Sequence, residues 1–147
     1  MRTTIYSIVG LALAATLPTA SAHAENMIQV VLQDPAINGS LQEMHMTLDK
    51  DAVNAGQVTF QVTNKSPTLV HELLVLRTDL VGSQLPYDSE KAVFIESEVE
   101  KLGEVSDLPP GKSGNLTLDL KPGSYLLACN QPGHTHAGMW TKIMVTP

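Results

Sequence analysis

Short runs of alternating apolar and polar residues, separated by turn residues, constrain the fold of this chain more than any other feature. The clearest runs are residues 58–64 and 115–120, where β-branched and other apolar side chains recur at every second position. Residues 54–56, 65–67 and 121–123 contain the Gly, Pro and Asn of tight turns. Seven or eight such strands, at a spacing of roughly ten residues, predict an all-β protein with a Greek-key β-sandwich or barrel.

One stretch departs from this pattern. Residues 89–104 intersperse charged side chains with apolar ones such as Val93 and Phe94, and Ser89 followed by Glu90 fits the start of a helix. A strand fits the same stretch as well. The sequence therefore predicts either one short helix around residues 89–104 or a further strand.

The first 24 residues have the composition of a secretory signal peptide. Arg2 precedes a short apolar run over residues 8–17, and small residues ending at Ala22 and Ala24 follow it. We predict cleavage after Ala24, with Ala22 as the alternative site, or else an uncleaved N-terminal anchor. The mature chain is then one domain, residues 25–147, exported to the periplasm and not embedded in the membrane.

Charge and cysteine content argue against nucleic-acid binding and against an internal disulfide. The formal net charge is −6 at pH 7 and no basic stripe is present, so nucleic acid is not an expected partner. The single cysteine, Cys129, cannot form an internal disulfide. A lone thiol in an oxidising compartment needs protection, which either burial or a bound metal provides.

The segment over residues 125–140 concentrates the side chains that bind soft metals. Cys129, His134, His136 and Met139 lie around a Pro-Gly turn, in a hairpin loop between two predicted strands. A thiolate, an imidazole and a thioether suit copper, and a blue-copper site needs one further imidazole. His71, which starts a predicted strand 58 positions before Cys129, is the candidate donor.

Each of these residues also has a structural explanation. Cys129 could be a small buried hydrophobic residue, Met139 could fill the core, and His71 could be a hydrogen-bonded strand histidine. Zinc is the main rival metal, although structural zinc sites usually contain more thiolate or imidazole than this loop offers. The spacing and order of the residues together favour copper.

The segment Cys129-Asn-Gln-Pro-Gly-His134, continued by Ala-Gly-Met139, resembles the C-terminal copper loop of the cupredoxins, the family of plastocyanin and azurin. The strand over residues 58–64 and the following His71 are similar to the upstream copper-histidine region. The resemblance implies one type 1 copper ion per chain. It also implies that His71, Cys129, His134 and Met139 are its ligands.

Two positions depart from the family pattern. Glu72 stands where many cupredoxins have a small polar residue, often Asn, that braces the cysteine sulfur. His136 lies two residues beyond His134 and could replace it as a ligand, but the chain from His136 back to Met139 would then be very short.

Two functions are consistent with a single copper site. The first is a monomeric periplasmic electron carrier whose partner is a periplasmic or membrane redox protein such as a cytochrome. The second is a copper-handling or copper-tolerance protein that buffers or oxidises Cu(I). His136 and the departure at Glu72 favour it, as would Met44, His45 and Met46 if they formed a second site. A copper enzyme is not expected, because a single domain with few other histidines offers neither further copper centres nor a nucleophile with its base.

Overall fold

The computed structural model describes residues 26–34 and 44–147, so the predicted signal peptide, residues 1–24, lies outside the described residues. Eleven strands form within the described part of the chain. Their bounds are β1 Met27–Gln33, β2 His45–Leu48, β3 Ala52–Asn54, β4 Gly56–Asn64, β5 His71–Arg77, β6 Tyr87–Asp88, β7 Val93–Phe94, β8 Lys101–Leu108, β9 Ser113–Leu120, β10 Gly123–Ala128 and β11 Trp140–Thr146.

Nine of these strands form two sheets, and β6 and β7 form a separate hairpin. One sheet has the order β2-β1-β4-β9, with β1 and β4 parallel and the other pairs antiparallel. The other has the order β3-β11-β10-β5-β8, with only β3 and β11 parallel. The predicted all-β sandwich is confirmed.

The main core lies between the two sheets and follows from the alternation of the strands. In β4, for example, Val58, Phe60 and Val62 are fully buried, and the residues between them are exposed or half-buried. Side chains of a strand point alternately to opposite faces, so one face of each sheet supplies this core. Cys129 and Met139 belong to the same buried cluster.

Strands β5 and β10 are buried on both faces. Leu74 and Leu76 of β5 and Leu126 and Ala128 of β10 point away from the main core, yet each is 0% exposed. The segment between β5 and β8 covers them, mainly through two buried side chains, Leu85 and Phe94. Val99 of the same segment and Trp140 of β11 pack at the margin. Continuous apolar runs are typical of strands that are covered on both sides.

The structure contains no α-helix over residues 89–104, so the helical alternative was wrong. The stretch contains β7, a 3-10 turn at Glu96–Glu98 and the start of β8. The Asp88 side chain accepts the backbone N–H groups of Glu90 and Lys91, and Ala92 has a φ of 60°. These features form the turn of the β6–β7 hairpin and prevent a helix from starting. In the described residues no helix is both long and apolar enough to cross a membrane.

Gly82, in the covering segment, is buried against the ring of Trp140. A Cβ atom at this position would overlap a ring carbon of Trp140, far inside a van der Waals distance. We expect Gly82→Ala to lower the free energy of unfolding by about 1–3 kcal/mol, because the indole ring or the backbone must shift. Thermal unfolding checks this, with the exposed neighbour variant Ser83→Ala as the control. Equal melting temperatures for the two variants would contradict it.

Candidate metal centre

Three of the four predicted ligands meet at one end of the sandwich. His71 is the first residue of β5, Cys129 directly follows β10, and His134 lies in the loop between β10 and β11. His71 and Cys129 are 0% exposed and His134 is 7% exposed. One potential ligand atom of each residue lies within 4.8 Å of the other two.

The spacing of the donor atoms fits a shared metal ion. The Nδ1 atoms of His71 and His134 are 3.1 Å apart, and the Cys129 Sγ lies 3.5 Å from the His134 Nδ1. Metal–nitrogen bonds of about 2.0–2.1 Å and metal–sulfur bonds of about 2.3 Å place donors that share one ion about 3–4 Å apart. Two imidazoles and one thiolate are the donor set of a trigonal copper site.

Backbone hydrogen bonds bring the loop between β10 and β11 back on itself. The Cys129 N–H donates to the Met139 carbonyl at 3.1 Å, and the Met139 N–H donates to the His134 carbonyl at 3.0 Å. The Thr135 hydroxyl donates to the Cys129 carbonyl. Met139 is therefore held next to the backbone of both Cys129 and His134, and its side chain is 0% exposed.

Glycine is required where the loop meets Met44, the residue directly before β2. The Ala137 carbonyl accepts the backbone N–H of Met44 at 3.2 Å. The next residue, Gly138, has a φ of 100°, and a Cβ atom there would lie 3.1 Å from the Met44 carbonyl oxygen. Only glycine adopts such a conformation without strain in so little space.

The β6–β7 hairpin braces the other side of the loop. The Asn130 side chain accepts the Phe94 N–H at 2.8 Å and donates to the Phe94 carbonyl at 3.1 Å and to Glu96 at 3.0 Å. The Gly133 N–H donates to the Ala92 carbonyl at 2.7 Å. This segment, where the sequence was ambiguous, therefore fixes the residue next to Cys129.

Glu72, the departure from the family pattern, also contacts the residue after the cysteine. Its Oε1 accepts the backbone N–H of Asn130 at 3.0 Å. Burial raises the pKa of Glu72 to about 7; the Asn130 hydrogen bond opposes this, and the nearby acidic residues Glu96 and Asp107 add to it. A half-buried carboxyl group thus lies directly beside the candidate centre.

Cys129 and His134 are both neutral in the metal-free protein near pH 7. Burial raises the pKa of the Cys129 thiol to about 12, although backbone N–H groups of Gln131 and Glu72 favour the thiolate. Burial, followed by the neighbouring His71, lowers the pKa of His134 to about 4. The imidazole of His134 is therefore free to bind a cation, and a bound metal would take the place of the thiol proton.

The other candidate residues lie apart from this group. His136 is exposed, and its ring packs against Tyr87 with a centroid distance of 3.8 Å. Met44 and Met46 are buried in the core, whereas His45 between them is exposed. The three residues therefore do not form a second cluster of ligands.

Sequence reasoning missed Asp34. Its Oδ1 lies 3.1 Å from the His71 Nε2, and its side chain is only 7% exposed. Asp34 precedes a proline and looked like an ordinary turn residue, with nothing in its neighbourhood to indicate a distant histidine. Asn130 was also missed, although its position directly after Cys129 was a usable signal.

Comparison with known proteins gives the family. The profile of the Sulfocyanin (SoxE) domain matches residues 51–147. The chain belongs to this family, which is a family of cupredoxins. No curated protein sequence is significantly similar to the chain.

Solved structures show the same fold. Dithionite-reduced auracyanin from Roseiflexus castenholzii superposes with a TM-score of 0.58 at 22% identity, over 83% of this chain and 98% of that chain. Rusticyanin from Thiobacillus ferrooxidans superposes with a TM-score of 0.56 at 19% identity, over 82% of this chain and 76% of its own. Rusticyanin is described as a copper protein.

The family membership and the donor set agree on the cofactor. Cupredoxins are copper proteins of electron transfer, and the cofactor of this chain is one type 1 copper ion. The predicted cupredoxin resemblance is confirmed.

The raised pKa of Glu72 predicts that the stability of the metal-free protein depends on pH. Its pKa of about 7 in the folded state exceeds the ordinary 4.5, so the folded state binds more protons between these two pH values. The stability that Glu72 contributes is therefore complete below about pH 4.5 and is lost as the pH rises through 7. We expect Glu72→Gln, which keeps an oxygen acceptor for Asn130, to raise the melting temperature more at pH 8 than at pH 5.

Melting curves of the metal-free wild type and variant across this range measure the effect. Glu90→Gln is the matched control, because it removes an exposed carboxylate and should give no such difference. A constant offset between wild type and Glu72→Gln at all pH values would contradict the prediction.

Proposed function

We propose that this protein is a periplasmic electron carrier with a single copper ion, held by His71, Cys129, His134 and Met139. The convergence of His71 Nδ1, Cys129 Sγ and His134 Nδ1 at one buried end of the sandwich carries the proposal. The two imidazoles and the thiolate would hold the copper ion, and the Met139 thioether would be a fourth, weaker donor that tunes its reduction potential.

The chain's own contribution is rigidity. The bound ion supplies the one-electron couple between Cu(II) and Cu(I). Strands β5 and β10 are covered on both faces, and the loop after Cys129 is hydrogen-bonded to Met44, Ala92 and Phe94. The donors therefore keep one arrangement in both oxidation states, which lowers the reorganisation that electron transfer requires.

Electrons would pass through His134. It is 7% exposed, whereas His71, Cys129 and Met139 are each 0% exposed. Pro132, His136 and Gly138 of the same loop are exposed around it. A periplasmic or membrane redox protein, such as a cytochrome, would dock at this end of the molecule, with the carrier acting as a monomer.

The copper-handling function has less support. A Cu(I) site formed by Met44, His45 and Met46 would have supported this function. The thioethers of Met44 and Met46 lie in the core, however, and the imidazole of His45 lies outside it. A deletion strain that is sensitive to copper but respires normally would favour copper handling. Impaired electron transfer without copper sensitivity would favour the carrier.

The proposed ligands are tested by titrating the purified mature protein with Cu(II) while following visible absorption and EPR. We expect an intense thiolate charge-transfer band at one copper per chain. Cys129→Ser should abolish the band, because an alcohol oxygen does not supply the thiolate donor. His134→Ala should also lose it, and the matched control His136→Ala should retain it. Copper binding that survives in Cys129→Ser with an unchanged spectrum would refute the site.

Met139→Leu tests the proposed thioether ligand separately. The variant should still bind copper and keep the visible band, because the two imidazoles and the thiolate would remain. Its reduction potential should be higher than that of the wild type, since a donor that favours Cu(II) is lost. Voltammetry of both proteins measures this, and identical potentials would show that Met139 is only a core residue.

A further inference from the structure

A buried carboxylate lies behind the histidine ligand His71. Asp34, the residue directly after β1, has its Oδ1 3.1 Å from the His71 Nε2, and both side chains are almost completely enclosed, with exposures of 7% and 0%. β1 belongs to the four-stranded sheet and His71 begins β5 of the other sheet. The contact therefore joins the two sheets at the end that holds the candidate centre.

This contact determines which ring nitrogen of His71 is available. A carboxylate only accepts hydrogen bonds, so the Nε2 that faces Asp34 carries the hydrogen. The other nitrogen, Nδ1, then has its lone pair free, and it is this atom that lies 3.1 Å from the His134 Nδ1. The hydrogen bond on one ring nitrogen fixes the tautomer and the orientation for a metal on the other.

The two histidines of the centre consequently differ. His71 is 0% exposed and faces a carboxylate, whereas His134 is 7% exposed and lies on the loop. A carboxylate on the far nitrogen makes the imidazole a stronger donor and places negative charge near the ion. Both effects stabilise Cu(II) more than Cu(I), because the charge of Cu(II) is larger.

We propose that Asp34 is a positioning residue of the copper site, which holds His71 as the Nε2–H tautomer and lowers the reduction potential of the bound copper. This inference rests on the proposed function, because it requires His71 to be a ligand. It assigns to the end of β1 a part in the site that lies outside the matched domain, residues 51–147.

Two variants separate the effect of the Asp34–His71 hydrogen bond from the effect of the charge on Asp34. Asp34→Asn keeps an oxygen that can accept from Nε2 but removes the charge, and Asp34→Ala removes both. Asp49→Asn is the matched control, because the Asp49 Oδ1 accepts the Gln29 N–H on the same strand, at an exposed position away from the site.

The first readout is the tautomer of His71 in the metal-free protein, measured by nitrogen-15 NMR of the imidazoles. We expect the Nε2–H form in the wild type, in Asp34→Asn and in the control, and a mixture of tautomers in Asp34→Ala. An unchanged His71 spectrum in Asp34→Ala would overturn the positioning role. This readout does not depend on copper, so it is independent of a failure of the proposed function, which would appear as the absence of the thiolate band in the wild type.

The second readout is the reduction potential and the Cu(II) affinity of the copper-bound protein. The potential should rise in both Asp34→Asn and Asp34→Ala, and the Cu(II) affinity of Asp34→Ala should fall roughly 10–100-fold, as is typical when the partner of a ligating histidine is removed. A lower melting temperature with the wild-type potential, in either variant, would show that Asp34 only stabilises the fold. Equal potentials in Asp34→Asn and wild type would overturn the electrostatic part.

Discussion

The covering of β5 and β10 on both faces is the constraint on which the rest of the structure depends. A shift of either strand by one residue would exchange the side chains of its two faces, and here both faces are packed against apolar neighbours. The pairing of Leu74 with Ala128 and of Leu76 with Leu126 is therefore fixed. His71 and Cys129, at the ends of these strands, are placed first by core packing, and their own hydrogen bonds to Asp34 and to the Met139 carbonyl then orient them.

The loop after Cys129 is held from three directions. The β6–β7 hairpin bonds to Asn130 and Gly133, Met44 just before β2 bonds to Ala137, and the loop closes on itself between Cys129 and Met139. Glu72 adds a carboxylate at the position where the family pattern often has a small polar residue. The loop thus belongs to the rigid part of the protein, although it lies at the surface.

The sequence predicted the fold class and the three clustered donors, for different physical reasons. The fold class followed from alternation, a local property of each strand. His71, Cys129 and His134 were found because their residue types and spacing are uncommon in combination. The role of Met139, which is buried beside Cys129, stays a prediction for experiment.

What the sequence did not predict depends on contacts between distant segments. Asp34 meets His71 only after the two sheets pack, and no local pattern marks it. Residues 89–104 mixed charged and apolar side chains without a clear period, and the hairpin there forms because Asp88 and Ala92 turn the chain. The carboxylate of Glu72 was recognised as a departure, but its hydrogen bond to Asn130 required the register of β5 against β10.

The parallel pairing of β3 with β11 has a consequence for the order of folding. Residues 52–54 lie beside residues 144–146, so this sheet is complete only when nearly the whole chain is available. Such non-local pairing slows folding, because the chain loses the entropy of a long loop before the contacts that offset this loss can form. The metal-binding loop connects β10 to this last strand. Cys129 is buried in the core between the two sheets, so its thiol stays accessible until both sheets have formed and packed together.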